Sequence, residues 1–122
     1  MNYRIVTCGN IQYIECLPGL GSDQVKGEND ALDWVALCGG ESIHRLLIHA
    51  DNLTPEFYQL KTGVAGAVLQ KFVNYAVRVA ALLSPELVNQ GRFYDMVIEA
   101  NRGNHFRVFY TRPEAESWLV MD

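Results

Sequence analysis

The sequence contains no long apolar run. A membrane-crossing helix needs about 18 to 20 consecutive apolar residues, and the best run here, Val79 to Leu83, has only the length of a strand. Cysteine is scarce and odd in number: Cys8, Cys16 and Cys38, with no Cys-x-x-Cys spacing. Buried free thiols in a reducing compartment are the simplest account of them. Basic charge is thin as well. Lys and Arg total 10 against 14 acids, giving a net charge of −4, and the basic residues are scattered. A nucleic-acid binder clusters its cations to neutralise phosphates, so nucleic acid is not an expected partner. Met1-Asn2-Tyr3-Arg4 leads straight into an alternating segment, unlike the apolar stretch of a signal peptide. The expectation is a cytoplasmic protein with no membrane partner.

Catalytic signatures are missing too. No Gly-x-Ser-x-Gly is present, and no cysteine has a histidine in a supporting sequence context. Gly19-Leu20-Gly21 sits between a strand and a helix, as a phosphate loop would. It lacks the third glycine and any lysine followed by Ser or Thr. No two of His44, His49 and His105 are placed to share a face, which predicts no metal, no cofactor and no catalytic group.

What remains is the make-up of an ordinary globular chain. Its 122 residues are 49% hydrophobic and 20% charged, enough apolar material for a single domain with a core of its own. Residues 3–8 and 11–17 read as two strands joined by Gly9-Asn10. Glycine first in a two-residue loop suits a type II′ turn, and the resulting register sets Arg4 opposite Glu15 and Tyr3 opposite Cys16. Residues 18–28 are polar and Gly-rich, hence a loop. Asn29 can cap a helix with Leu32, Val35 and Ala36 on one face, ended by Gly39-Gly40.

Residues 45–49 then form a short buried strand. Thr54-Pro55-Glu56 starts a helical turn ending near Leu60, and Thr62 opens a helix carrying Ala65, Val68, Leu69 and Phe72. Residues 77–83 are a second buried strand. Ser84-Pro85-Glu86 caps a helix striped with Phe93, Met96, Val97 and Ala100, closed by Gly103 in a left-handed conformation. Residues 106–110 are the last strand. Thr111 and Glu114 form a capping box for the terminal helix. The order ββαβαβαβα predicts an α/β domain: one five-stranded mixed sheet, with an antiparallel hairpin first and parallel strands after it.

Ligands of parallel sheets bind beyond the carboxyl ends of the strands. The most polar such end holds His49, Asp51, Asn52, Thr54 and Glu56. His49 and Asp51 could form an acid–base pair, or Asp51 and Asn52 could simply build a turn that Thr54 caps. At Thr62-Gly63-Val64-Ala65-Gly66, Thr62 can cap while Gly63 and Gly66 allow close packing on the sheet. Alternatively, the exposed amides and hydroxyl contact an anion or a partner. The candidate partner- or ligand-binding residues are thus Asp51, Asn52, Thr54, Thr62 and Gly63.

From Asp30 onward the chain resembles a bacterial family, domain-of-unknown-function 4180. The resemblance rests on Asp30-Ala31-Leu32-Asp33, Asn52-Leu53-Thr54-Pro55-Glu56-Phe57 and Leu60-Lys61-Thr62-Gly63-Val64-Ala65-Gly66. It continues in Leu69-Gln70-Lys71-Phe72-Val73-Asn74-Tyr75, Glu99-Ala100-Asn101-Arg102-Gly103 and Glu114-Ala115-Glu116. The family implies no activity. The element order and the Thr62-Gly63 helix start are similar to STAS domains, the fold of anti-sigma-factor antagonists, which carry a phosphorylatable Ser or Thr at the corresponding helix. That likeness implies a non-catalytic regulatory or protein-interaction domain with a protein partner. The alternatives are a small-ligand binder or enzyme using His49, Asp51 and Asn52, and a structural subunit of a homo-oligomer.

Overall fold

The computed structural model describes residues 2–17 and 24–121. Strands β1 (Tyr3–Cys8) and β2 (Ile11–Cys16) form the expected hairpin, with Arg4 opposite Glu15 and Tyr3 opposite Cys16. Gly9 takes φ +63° while Asn10 stays out of the positive-φ region, the signature of a type II′ turn. Strands β3 (Arg45–His49), β4 (Arg78–Leu82) and β5 (Phe106–Phe109) follow in spatial order, each parallel to the one before and β3 parallel to β2. The predicted five-stranded mixed sheet is the observed one.

Strands added always in one direction through right-handed crossovers bring their helices to the same face. Accordingly α1 (Glu28–Glu41), α2 (Val64–Asn74) and α4 (Arg92–Ala100) cover one side. Ile14, Cys16, Leu46, Ile48, Val79 and Ala81 meet Trp34, Phe57, Val68, Phe72, Phe93 and Val97 there in the larger core. Helix α5 (Arg112–Leu119) alone crosses the other face, where Tyr13, Leu47 and Ala80 pack against Ala115, Trp118 and Leu119. Alternation along β2 and β3 supplies both layers, since successive side chains point to opposite faces.

Several local expectations are corrected. Helix α1 starts one residue before Asn29, with Gly27 as its N-cap, and runs through Gly39 and Gly40 to a left-handed Ser42. It buries Ala31, Trp34 and Cys38; Leu32 and Val35 are only partly covered and Ala36 is exposed. Gly39 and Gly40 therefore cost helix propensity without ending the helix. The predicted helix after Ser84 is two: α3 (Pro85–Val88), capped by Ser84 Oγ accepting from the Leu87 N–H, then α4 after a break at Gly91, φ +50°. Gly103 has no positive φ; α4 ends at Ala100 with Asn101 as its C-cap. Thr111 Oγ1 donates to the Glu114 side chain at 2.8 Å rather than accepting from a helix N–H. Gly63 and Gly66 are exposed, and a Cβ built on either would meet nothing within 4 Å. Close packing on the sheet is not their role, but Gly63 takes φ +77° at the start of α2, a conformation glycine enters at no steric cost. The Gly19-Leu20-Gly21 reading and the start of its loop lie outside the described residues.

Asn101 has a job that its sequence context hides. Its Oδ1 accepts from the Val108 N–H at 2.8 Å and its Nδ2 donates to the Val108 carbonyl at 3.4 Å. The side chain thus stands in for a neighbouring strand on the outer edge of β5. An unpaired sheet edge otherwise invites pairing with another chain.

Candidate functional site

Two polar constellations flank the carboxyl ends of the strands, one on each face of the sheet. On the α5 side, Glu15 is 3% exposed, a buried carboxylate in the middle of a sheet. A charge in that position needs partners. Glu15 has four. Arg4 Nε and Arg112 Nη2 donate to Oε1, each at 2.7 Å; Arg112 Nη1 and His49 Nε2 donate to Oε2 at 2.8 and 2.7 Å. The bidentate Arg112 contact, reinforced by His49 and Arg4 and opposed by burial, holds the Glu15 carboxyl down at about 2. Beside it the Tyr13 hydroxyl donates to Glu116 at 2.6 Å and accepts from Arg112 Nη2 at 3.2 Å. Burial, then the bond to Glu116, push Tyr13 up to about 12.

The tautomer of His49 follows from this network. Its ring accepts from the Asn52 backbone N–H, while the Asn52 side chain accepts from the His49 N–H at 2.8 Å. With one nitrogen accepting, Nε2 carries the proton and donates to Glu15. Both ring nitrogens are engaged within the network, Nε2 with Glu15 and the other with the Asn52 backbone. His49 and Asp51 do not form the acid–base pair that the sequence allowed. His44 and His105 are exposed at the amino ends of β3 and β5, as expected. Among the described residues, no three His, Cys, Asp or Glu gather as a metal would require.

Asn52 is fully buried. Besides binding His49 it donates to the Leu17 carbonyl at 3.3 Å, and its own carbonyl accepts from the Val25 N–H at 2.7 Å. It ties the end of β3 to Leu17 and Val25, so it is a brace and not a contact surface. Thr54 is 8% exposed, and its hydroxyl has no hydrogen-bond partner among the described residues. It precedes a 3₁₀ turn, Pro55–Tyr58, without capping it. Replacing Thr54 by the isosteric valine should therefore raise stability by about 1 kcal/mol, because an unpaired buried hydroxyl disappears. A lower denaturation midpoint for Thr54→Val would restore the capping role.

Thr62 ends a second 3₁₀ turn, Leu60–Thr62, and Gly63 is the N-cap of α2. The exposed Thr62 is nonetheless committed: its hydroxyl lies 2.8 Å from the Glu56 and Gln59 carbonyls and accepts from the Val64 N–H at 3.3 Å. An acid here would face two carbonyl oxygens, so Thr62→Asp would bring like partial charges together.

The second constellation is a two-lobed groove on the opposite face, beyond the carboxyl ends of β3 and β4. One lobe, of about 410 Å³, is lined by Tyr58, Gln59, Leu60, Lys61, Gln90, Arg92 and Phe93. The other, of about 320 Å³, is lined by Ala50, Asp51, Leu53, Pro55, Tyr58, Gln59, Leu87 and Gln90. Tyr58, Gln59 and Gln90 border both, so the two lobes adjoin. The aromatic lining of the groove is Tyr58 and Phe93, whose rings meet edge to face with centroids 5.1 Å apart, and both also pack edge to face on the buried Phe57. The Tyr58 hydroxyl donates to the Ala50 carbonyl at 3.5 Å. Burial, with the nearby charge of Asp51, pushes Tyr58 up to about 12, so it is a neutral hydrogen-bonding group at physiological pH. Of the sequence candidates, Asp51 alone lines this groove; Thr62 adjoins it through Lys61.

A third depression, about 450 Å³, runs along α5 by Arg107, Phe109, Ser117 and Trp118. Its Arg107 is already occupied by the Gly103 carbonyl, the Asn104 side chain and the Trp118 ring.

The sequence matches the family described as Domain of unknown function (DUF4180) over residues 9–119. The chain belongs to this family. No curated protein and no solved structure matches it. The family segments quoted above include Asn52, Thr54, Lys61 and Thr62, and the structure gives them two different settings. Asn52 and Thr54 are interior, whereas Lys61 and Thr62 face outward. No helix is long and apolar enough to cross a membrane among the described residues.

Proposed function

We propose that this DUF4180 chain is a non-catalytic regulatory or protein-interaction domain, similar in element order to STAS domains, and that it recognises its partner through the groove beyond β3 and β4. The observation that carries this reading is the composition of the groove. It offers exposed charge, two primary amides and an aromatic lining, and neither histidine nor cysteine is among its lining residues. Binding needs only complementary surface, whereas catalysis needs convergent reactive groups. The unpaired cysteines are in keeping with action in the cytoplasm. The position also accords with the general preference of parallel-sheet proteins for strand carboxyl ends.

A test follows from the shared wall. Gln90 is exposed and borders both lobes, so Gln90→Trp should fill the groove without disturbing the core. A partner retained by the parent chain from native cells should be lost by Gln90→Trp and kept by Ser117→Trp, a control on the α5 side. Equal retention by a folded Gln90→Trp protein would remove the groove from consideration. A small-ligand reading is favoured by one observation, the lobe volumes, which lie within the usual range for ligand pockets. A metabolite co-purifying with the parent and absent from Gln90→Trp would select it.

A further inference from the structure

The charges in the groove are sorted by sign. Lys61 and Arg92 line one lobe, and Asp51 lines the other. All three are exposed, and none has an ion-pair partner among the described residues. Arg4 and Arg112 are engaged with Glu15, Arg107 with the Gly103 carbonyl, and Arg78 with the Trp118 and Met121 carbonyls; Arg45, beside Arg78 in register, has a buried Nε with no hydrogen-bond partner among the described residues. In a chain of net charge −4, two cations left unneutralised over one lobe form a local positive spot. Between the two ends lie the Tyr58 hydroxyl, which donates to Ala50, and the Gln59 and Gln90 amides, Gln90 Nε2 already donating to the Leu87 carbonyl at 2.8 Å; their remaining donor and acceptor sites match those of a peptide backbone.

Building on the interaction reading above, we propose that the groove binds a bipolar protein segment. An acidic side chain sits in the Lys61–Arg92 lobe and a basic one in the Asp51 lobe, with peptide groups between them against Tyr58, Gln59 and Gln90. Charge complementarity across an interface fixes register and rejects mismatched partners more than it adds affinity. The occupant is therefore defined by the order of its charges along the groove. A small free anion would use one lobe only and leave Asp51 without a role.

The test uses the full chain, isotope-labelled, titrated with four capped peptides of one length and a shared central tyrosine. They carry Glu and Lys, Glu and Gln, Gln and Lys, or Gln and Gln at their two ends. The peptide with Glu and Lys should bind tightest, by about two- to fivefold for each charge matched at an exposed site. That margin should vanish in about 1 M salt, where charges are screened within about 3 Å. Asp51→Asn should reduce it to the affinity of the Glu and Gln peptide and leave that peptide unaffected. Lys61→Gln with Arg92→Gln should reduce it to the Gln and Lys peptide, again leaving the latter unaffected. This pairing of one variant with one peptide end isolates each contact. Variants that weaken all four peptides alike would overturn the proposal. So would shifts away from the groove, or inorganic phosphate displacing the Glu and Lys peptide with no contribution from Asp51. If no peptide binds while Gln90→Trp still loses the native partner, the bipolar segment is wrong and the recognition face stands.

Discussion

Glu15→Gln should lower the unfolding free energy by about 3 kcal/mol at neutral pH. The parent carboxylate satisfies four donors from three different residues inside the sheet, and a neutral amide can neither balance two guanidinium charges nor accept all four bonds. Breaking a buried pair on one side costs about 3 to 5 kcal/mol. The lower figure applies because Arg4 and Arg112 are 57% and 36% exposed and recover water. The pH dependence has a definite sign. The Glu15 carboxyl falls from 4.5 to about 2 on folding, so its contribution is complete above about 4.5 and is lost as pH falls towards 2. The parent should lose stability across that window faster than Glu15→Gln does, which chemical denaturation at stepped pH will measure. Parallel pH profiles for the two proteins would mean that the carboxylate is not held by the network.

Phe72→Ala should cost about 3 to 5 kcal/mol. Phe72 is 2% exposed on α2 and belongs to the larger core with Phe57, Val68 and Trp34. Its removal leaves a cavity under a helix whose N-terminus is set by Gly63 and whose C-terminus closes with the Val77 N–H bonding the Phe72 carbonyl at 2.9 Å. The denaturant midpoint should fall with an unchanged slope. An unchanged midpoint would place Phe72 outside the core.

These two residues mark how far the sequence could be read. Phe72 was legible because Ala65, Val68 and Phe72 recur at helical spacing. Leu69, read with them, is only half covered. The register of the hairpin was legible to the residue, though its second strand ends at Cys16 and not at Leu17, because a two-residue loop with glycine first leaves a single register. That register did set Arg4 against Glu15, but as an edge pair of modest worth. The burial of Glu15 depends on Arg112, 97 positions away, and on α5 crossing the second face, a placement that strand periodicity does not encode. Local punctuation also misled: Gly39, Gly40 and Gly103 looked like stops and were not, while Gly91 broke what read as one helix from the Ser84 cap. The groove stayed hidden for the same reason. Its walls come from the 3₁₀ turns after β3 and from the break between α3 and α4, two irregular segments that meet only in space. Asp51 was found because it sits at a strand end; Lys61, Arg92 and Gln90 carried no signal beyond being polar.

We propose recognition beyond the carboxyl ends of β3 and β4. Hydrogen exchange of the chain alone and in complex with the partner that it retains from native cells tests this most directly. Protection should appear in residues 50–61 and 87–93, with α5 and the hairpin unchanged. Protection confined to residues 112–119 or 3–8, with the groove segments exchanging as in the free chain, would contradict it.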